Sequence, residues 1–212
     1  MDYITPEEMR AAEVRAGAIG LDEATLMENA GAAVAEVVEQ RYSSTGRKLL
    51  VVCGLGNNGG DGMVVARRVG GRWRVRLLLL GEESSIKTKS ARNNWSQLGA
   101  RVETAEARDV PSLASREEWF DSADVVVDAV LGTGVRGEVR EPLATAIRMI
   151  NGTRGAKVAI DIPSGLDPAS GKAAEATVRA DLTVALHRAK IGLRGKTEYT
   201  GEVVVVPIGI VD

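Results

Sequence analysis

Residues 49–62 read Leu-Leu-Val-Val-Cys-Gly-Leu-Gly-Asn-Asn-Gly-Gly-Asp-Gly, and a helical apolar pattern follows over residues 63–69. A buried strand that leads through a glycine-rich turn into a helix is the arrangement by which α/β proteins hold anionic or polar ligands. Gly54, Gly56 and Gly59 satisfy G-x-G-x-x-G, which is a weak signature by itself. The stretch therefore predicts an α/β domain with a ligand site at this turn.

The Asn-Asn-Gly-Gly-Asp-Gly continuation is not explained by a dinucleotide fingerprint. Asn57 and Asn58 tolerate a left-handed backbone and offer amide donors and acceptors. We expect Asp61 to begin the following helix, where the helix dipole favours a carboxylate. The alternative is a tight turn with Asp61 as a helix cap, but five glycines in nine residues would cost much backbone entropy for a turn alone.

Apolar segments alternate with helical patterns along the rest of the chain. Strands are predicted at 48–53, 74–80, 101–104, 124–130, 157–162, 181–186 and 202–208. Helices are predicted at 60–70, 87–98, 111–119 and 141–151, and two more begin near Thr5 and Asp22. Such alternation predicts βαβ units with a mostly parallel sheet. We predict one three-layer αβα Rossmann-like domain over residues 1–212, preceded by N-terminal helices.

Composition excludes several classes of protein. The net charge of −2 provides no basic field for nucleic acid, and no apolar run approaches the roughly 20 residues that span a bilayer. No secretory signal is visible, so we expect a cytoplasmic protein without membrane or nucleic-acid partners. A single cysteine, Cys53, and a single histidine, His187, argue against disulfides, zinc clusters and Ser-His-Asp triads. We interpret Cys53 as a small buried hydrophobe.

Polar residues follow four of the predicted strands. In open parallel sheets the ligand lies at the carboxyl ends of the strands, so these residues are expected at one crevice. They are Asn58, Asp61, Asp128, Asp161, Ser164 and Lys190. A solvated surface charge is an equally good interpretation of Lys190. Oxygen ligands without histidine or cysteine suit a hard cation such as potassium, sodium or magnesium.

Four motifs make the chain similar to the NAD(P)H-hydrate epimerases, and they occur in the order found in that family. They are Leu26–Gly31, Cys53–Gly62, Asp128–Gly134 and Asp161–Asp167. The resemblance covers nearly the whole chain. It implies a substrate, NADH or NADPH hydrated on the nicotinamide ring (NADHX or NADPHX), whose R and S epimers are interconverted.

The resemblance also implies roles for individual residues. Asp161 is the candidate catalytic acid or base, and a potassium ion is expected on Asn58, Asp128 and Ser164. The substrate contacts that it implies are Asp161 together with Asn57, Asn58, Gly59, Gly60, Asp61, Gly132, Thr133, Gly134, Val135, Arg136, Gly137 and Glu138. The dehydratase domain that is fused in many bacterial members is missing, so a separate S-specific dehydratase is the expected functional partner.

Two departures from the family pattern concern Leu55 and Lys190. Leu55 stands where many members have proline, which we expect to alter only the rigidity of the turn. Lys190 is aligned with a family lysine, but Leu186-His187-Arg188-Ala189 precedes it where Thr-Ala-Pro is usual, so its role stays open. The alanine-rich helix over residues 30–35 favours a homodimer.

Two other functions are compatible with parts of the sequence. A Rossmann oxidoreductase would use the glycine motif, with Glu82 or Glu83 on the ribose, but the neighbouring acids would repel a pyrophosphate held without a cation. A non-catalytic module of the RNA-decapping-scaffold type would need neither the acids nor Ser164. The combined presence of Asn58, Asp128 and Ser164 with Asp161 favours the epimerase.

Overall fold

A seven-stranded parallel sheet forms the centre of the protein in a computed structural model that describes residues 2–42, 47–134 and 137–211. The strand order is β4-β3-β2-β5-β6-β7-β9, and every pairing is parallel. The strands are β2 (Lys48–Cys53), β3 (Arg74–Leu79), β4 (Val102–Glu106), β5 (Val125–Ala129), β6 (Ala156–Ile160), β7 (Leu182–Leu186) and β9 (Glu202–Val206). A separate two-stranded parallel sheet pairs β1 (Tyr3–Ile4) with β8 (Ala189–Lys190).

Helices cover both faces of the large sheet. They are α1 (Pro6–Ala18), α2 (Glu23–Tyr42), α3 (Asn57–Val69), α4 (Lys89–Ser96), α5 (Val110–Ala114), α6 (Glu117–Asp121), α7 (Leu143–Gly152) and α8 (Thr197–Thr200). Along β2, Leu49 and Val51 pack with α2, α3 and α4, whereas Leu50 and Val52 pack with α5, α6 and α7. The predicted three-layer αβα architecture is therefore confirmed. None of the helices in the described part of the chain is both long and apolar enough to cross a membrane.

The prediction of one continuous helix over residues 111–119 is wrong. The segment forms two five-residue helices, α5 and α6, that are interrupted at Ser115 and Arg116. The Ser115 hydroxyl donates a 2.6 Å hydrogen bond to the carbonyl oxygen of Ser112. Serine side chains that bond to nearby backbone compete with helix continuation, which accounts for the break.

The order of the strands determines where the crevice lies. From β2 the chain moves outward to β3 and β4, then returns to the other side of β2 with β5, β6 and β7. This reversal creates a switch point between β2 and β5, where the carboxyl ends of the strands open into a crevice. Because β2, β5, β6 and β7 are consecutive neighbours, the four polar strand ends lie along one edge of the sheet, as predicted.

The glycine-rich segment is a helix for most of its length. Helix α3 begins at Asn57, so the prediction that Asp61 begins the helix is wrong by four residues. A Cβ atom at Gly59 would lie 2.0 Å from the carbonyl oxygen of Gly54. Glycine is therefore required for the close approach of the helix to the strand end, and steric room outweighs the low helix propensity of glycine.

The Leu26–Gly31 motif lies in α2 and joins that helix to its neighbours. Glu28 accepts hydrogen bonds from both Arg67 and Arg68 of α3. Asn29 Nδ2 donates to the carbonyl oxygen of Ile208 over 2.9 Å. The motif is therefore structural, since it ties α2 to α3 and to the end of the chain.

The small residues of α2 are used for packing within the chain. Ala30, Gly31 and Ala35 are buried, and a Cβ atom at Gly31 would lie 2.4 Å from the Cβ of Val64 in α3. The alanine-rich surface on which the homodimer prediction rested is thus partly occupied by α3, and the homodimer stays a prediction.

We predict that Gly31→Ala lowers the free energy of unfolding by about 1–3 kcal/mol, because the added methyl group forces α2 and α3 apart. Gly17→Ala is the matched control, since Gly17 also lies in a helix but has open space around the Cβ position. It is expected to raise the free energy of unfolding by up to about 1 kcal/mol. Urea denaturation measures both; equal effects of the two substitutions would contradict the packing explanation.

Candidate active site

Asp128 is the buried carboxylate at the end of β5. Its side chain is inaccessible to solvent. Oδ2 accepts a 2.8 Å hydrogen bond from the Ser164 backbone N–H, and Oδ1 accepts a 2.6 Å hydrogen bond from the Ser164 hydroxyl. Burial raises the pKa of Asp128 to about 6, against the lowering effect of these hydrogen bonds. The carboxylate is therefore held by hydrogen bonds without full compensation of its charge.

Leu131 connects the three residues that the family resemblance implies as ligands of a cation. The Leu131 N–H donates to Ser164 Oγ over 2.8 Å. Its carbonyl oxygen accepts a 3.0 Å hydrogen bond from Asn58 Nδ2. Asn58, Asp128 and Ser164 come from three different segments of the chain, and the hydrogen bonds through Leu131 bring them to one place.

The donor set at Asp128 fits a monovalent cation. It combines one carboxylate with amide and hydroxyl oxygens, and the carboxylate forms no ion pair with any described residue. In the described ranges no cluster of three or more histidine, cysteine, aspartate or glutamate residues has the arrangement of a metal site. A neutral or singly charged set of oxygen ligands favours a hard ion of low charge over zinc.

Asp161 lies at the end of β6 in an unusual backbone conformation. Its φ is 67°, a value that residues with a side chain rarely adopt. The Asp161 N–H donates to the carbonyl oxygen of Val184, and Oδ1 accepts a 3.0 Å hydrogen bond from the Leu186 N–H. A backbone that is strained at the end of a strand and held by such bonds points to a functional position.

Lys190 forms a buried ion pair with Asp161. The lysine side chain is fully buried, and Nζ donates to Asp161 Oδ1. Nζ also donates to the carbonyl oxygens of Leu186, over 2.8 Å, and Arg188, over 3.3 Å. All three ammonium protons are thus used, so the interpretation of Lys190 as a solvated charge is wrong. Lys190 positions the Asp161 carboxylate.

Asp61 and Glu13 are the other acids near Asp161. Burial raises the pKa of Asp61 well above its usual range, and the charges of Asp161 and Glu13 raise it further. Glu13 is exposed on α1, and partial burial raises its pKa while the charge of Lys190 lowers it. Asp61 is the buried acid of the crevice whose raised pKa favours the protonated carboxyl.

The sequence analysis missed Glu13. It lies in α1, four residues after the buried Met9 and three before the buried Ala16, at the edge of the helix face that packs inward. The pairing of β1 with β8 places the start of α1 beside Lys190, since Ile4 pairs with Lys190. No local motif predicts the pairing of β1 with β8. The sequence signal for Glu13 is its place beside the buried positions Met9 and Ala16 on one face of α1.

The loop expected to contact the substrate lies beside the predicted cation ligands. Gly132 is close to Asn58, because a Cβ at Gly132 would be 3.2 Å from the Asn58 Cβ. Gly137 and Glu138 line a cleft of about 100 Å³ together with Gly132 and the turn at Pro163. Asn57 is exposed at the start of α3. Val135 and Arg136, two of the predicted contacts, lie outside the described residues.

Other sequence interpretations are tested by single side chains. Glu82, a ribose ligand in the oxidoreductase alternative, pairs with Arg108 at 3.0 Å. Cys53 is fully buried, and burial raises the pKa of its thiol. The interpretation of Cys53 as a buried hydrophobe is confirmed.

The family described as YjeF-related protein N-terminus matches residues 23–192. The chain belongs to this family. The matched residues include the strand ends that carry Asn58, Asp128, Asp161 and Lys190. Membership is consistent with the resemblance found in the sequence.

Several relatives carry names that describe an activity. The chain is 43% identical over 212 residues to a protein of Cenarchaeum symbiosum named NAD(P)H-hydrate epimerase, and the match covers 98% of the chain and 95% of that protein. It is 47% identical to a Pyrobaculum aerophilum protein named bifunctional NAD(P)H-hydrate repair enzyme Nnr, with 99% of the chain covered. The chain spans only 42% of that longer relative.

A solved structure supports the fold. The crystal structure of the yeast protein YNL200c superposes with a TM-score of 0.84 and covers 98% of this chain and 88% of its own. The sequence identity is 20%, so the similarity demonstrates a shared fold and nothing beyond it.

We predict that Lys190→Met lowers the free energy of unfolding by about 3–5 kcal/mol, because Asp161 then keeps a buried charge without its partner. Lys157→Met is the matched control. Lys157 also pairs with an aspartate, Asp181, at 3.2 Å, but Asp181 is 53% exposed. Loss of this exposed ion pair in Lys157→Met should lower the free energy of unfolding by at most about 1 kcal/mol. Urea denaturation of both variants measures the difference, and similar small losses would contradict a tightly held Asp161.

Proposed function

We propose that this chain catalyses the interconversion of the R and S epimers of hydrated NADH and NADPH. The observation that carries the proposal is the pair of differently held carboxyl groups, Asp161 and Asp61, at the crevice of a member of this family. The match along 95% of a relative named as an epimerase supports the same activity. The reaction class is isomerisation.

The chemistry requires groups that give and take a proton. The hydrated ring carbon carries a hydroxyl and adjoins the ring nitrogen, so its configuration is lost when the ring opens or the hydroxyl departs. Either route needs a proton donor and an acceptor within hydrogen-bond reach of that oxygen. Asp161, oriented by the Lys190 ammonium, is the proposed acceptor. Asp61, whose raised pKa favours the protonated carboxyl, is the proposed donor.

The start of α3 suits the pyrophosphate of the substrate. Its N-cap residue, Gly56, has no side chain to satisfy the first backbone N–H groups of the helix. Free N–H groups at a helix N-terminus bind phosphate oxygens, and the helix dipole favours the negative charge. We propose that Asn57, Asn58 and Gly59 hold the pyrophosphate, while Gly132, Thr133 and Gly134 close the other side. The Gly60 N–H already donates to the carbonyl oxygen of Gly56.

Potassium is the proposed cation on Asn58, Asp128 and Ser164. When bound, it would neutralise the Asp128 charge and reduce repulsion between the acids and the substrate's phosphates. Asp128 remains the anchor, since two hydrogen bonds from Ser164 fix its orientation.

The product determines the class of partner enzyme. Epimerisation alone leaves the cofactor hydrated, so repair requires a dehydratase that removes water from one epimer. The name of the bifunctional relatives describes a repair enzyme in one chain, which fits such a functional partner. A cytoplasmic location stays a prediction from the sequence.

Asp161→Asn is predicted to lower epimerase turnover by at least about a hundredfold, because the amide cannot accept the proton. It keeps an oxygen that can accept the hydrogen bonds of Lys190 and Leu186, but it leaves the buried Lys190 ammonium without its counter-charge. Urea denaturation therefore establishes that the variant is folded under the assay conditions. Chromatography of the R-to-S ratio over time, starting from R-hydrated NADH, measures the rate above the spontaneous one. Asp181→Asn, at the opposite end of the sheet, is the control with unchanged turnover. Near-normal turnover of Asp161→Asn would exclude Asp161 as the catalytic residue.

Potassium is predicted to stabilise the protein relative to choline at equal ionic strength. The free energy of unfolding rises by about 1.4–2.7 kcal/mol when free potassium is roughly ten- to hundredfold above its Kd, because the ion binds only the folded chain. Asp128→Asn should abolish this gain, and Asp124→Asn, just before the same strand, should keep it. Thermal unfolding in the two salts measures the effect; an equal response of wild type and Asp128→Asn would contradict the assigned site.

A further inference from the structure

A cavity of about 650 Å³ lies at the amino ends of β2, β3 and β4, at the edge of the sheet opposite the candidate active site. Basic side chains predominate among its charged residues. These side chains are Lys48, Arg74, Arg76 and Arg101, with Glu103 as the only acidic side chain of the lining. We refer to this space as the basic cavity. Its size is that of a site for a small molecule.

Three cations of the basic cavity form a row across adjacent strands. Lys48 and Arg74 are directly paired in the β2–β3 register. Arg101 immediately precedes Val102, which pairs with Val75, so Arg101 continues the row beside Arg74. All three residues are exposed, and within the described ranges none of their side chains is in an ion pair. Like charges that face each other across strands destabilise a sheet, so this row of cations lowers the free energy of unfolding of the protein.

In the next row of the same face, the charges of Arg76 and Glu103 cancel. Arg76 pairs with Glu103 at 2.9 Å and lies 5.1 Å above the centre of the Trp119 ring. Asp124 lies beside the start of β2, where its Oδ2 accepts a 2.8 Å hydrogen bond from the Lys48 backbone N–H. Its carboxylate offsets part of the positive charge there, and the remaining excess lies at the rim of the basic cavity, on Lys48, Arg74 and Arg101.

The floor of the basic cavity is apolar. It contains Leu50, Trp119 and Ala123, all of which are buried. Arg76 and Arg116 lie over the Trp119 ring, 5.1 and 5.5 Å from its centre. Little of this apolar surface is therefore open to a ligand, and the cations of the rim are the groups that a ligand would contact.

We propose that the basic cavity binds a small molecule that carries two or more linked phosphate groups. Neighbouring strands are about 4.8 Å apart, so three adjacent cations extend over roughly 10 Å and reach more than one phosphate. Arginine forks bind phosphate oxygens in pairs, and a row of three cations favours a ligand with more negative charge than a single carboxylate. The overall charge of −2 makes this local excess of cations a specific feature of one edge.

Titration with ADP and with inorganic pyrophosphate at low ionic strength tests the proposal. Calorimetry and tryptophan fluorescence should both report binding, because Trp119 lies on the floor. Arg74→Gln and Arg101→Gln should each weaken binding at least about tenfold, as expected for loss of a charged hydrogen bond. Arg15→Gln, an exposed arginine of α1, is the matched control with unchanged affinity. ADP and pyrophosphate should both bind, because each carries two linked phosphate groups.

A second measurement separates the basic cavity from the candidate active site. Epimerase turnover should be unchanged in Arg74→Gln, and the ligand-free variant should unfold at a higher temperature at low salt because the repulsion with Lys48 is relieved. ADP binding that is unaffected by Arg74→Gln and Arg101→Gln but is displaced by hydrated NADH would place the ligand in the crevice and overturn the proposal. Absence of ADP and pyrophosphate binding, or binding of a single-stranded oligonucleotide alone, would overturn it as well.

Discussion

The close approach of α3 to the end of β2 is the constraint on which the site depends. Only hydrogen atoms fit between Gly59 and the Gly54 carbonyl, or between Gly31 and Val64 on the opposite side of the helix. A helix this close to the sheet brings its first turns to the β2–β5 crevice. Asn58 then reaches Leu131, and Asp61 becomes buried within the electrostatic reach of Asp161.

The site also requires buried charges, which the fold holds in two different ways. Asp128 receives hydrogen bonds from Ser164 and stays only partly compensated, so its pKa is raised to about 6. Asp161 has a full counter-charge in Lys190, and a left-handed backbone directs it there. The Asp128 carboxylate is therefore suited to a cation. The surroundings of Asp161 are suited to proton transfer. Apolar packing on both faces of the sheet supplies the stability that these polar groups cost.

Much of this arrangement was predictable from local patterns. The strands of a parallel sheet covered on both faces are uninterrupted apolar runs, so their positions and their polar ends were found within a few residues. Local sequence patterns predict the wrong helix boundaries where tertiary packing and side-chain hydrogen bonds determine them. The helix dipole favours a carboxylate at a helix start and so predicts that α3 begins at Asp61, whereas close packing against β2 lets the helix begin among the glycines. The apolar pattern predicts one helix over residues 111–119 because it contains no sign of the serine hydrogen bonds. Lys190 was left ambiguous, since a lysine after a strand is equally consistent with solvent.

The sequence by itself determined the fold class, the alternation of strands and helices, and which residue types follow each strand, because these depend on periodicity over a few residues. Only the tertiary structure decided the pairing of Lys190 with Asp161, the approach of Glu13 from α1, and the row of Lys48, Arg74 and Arg101 at the opposite edge. Each of these juxtapositions depends on strand order and register. Contacts between residues distant along the chain set that order, and no local pattern encodes them.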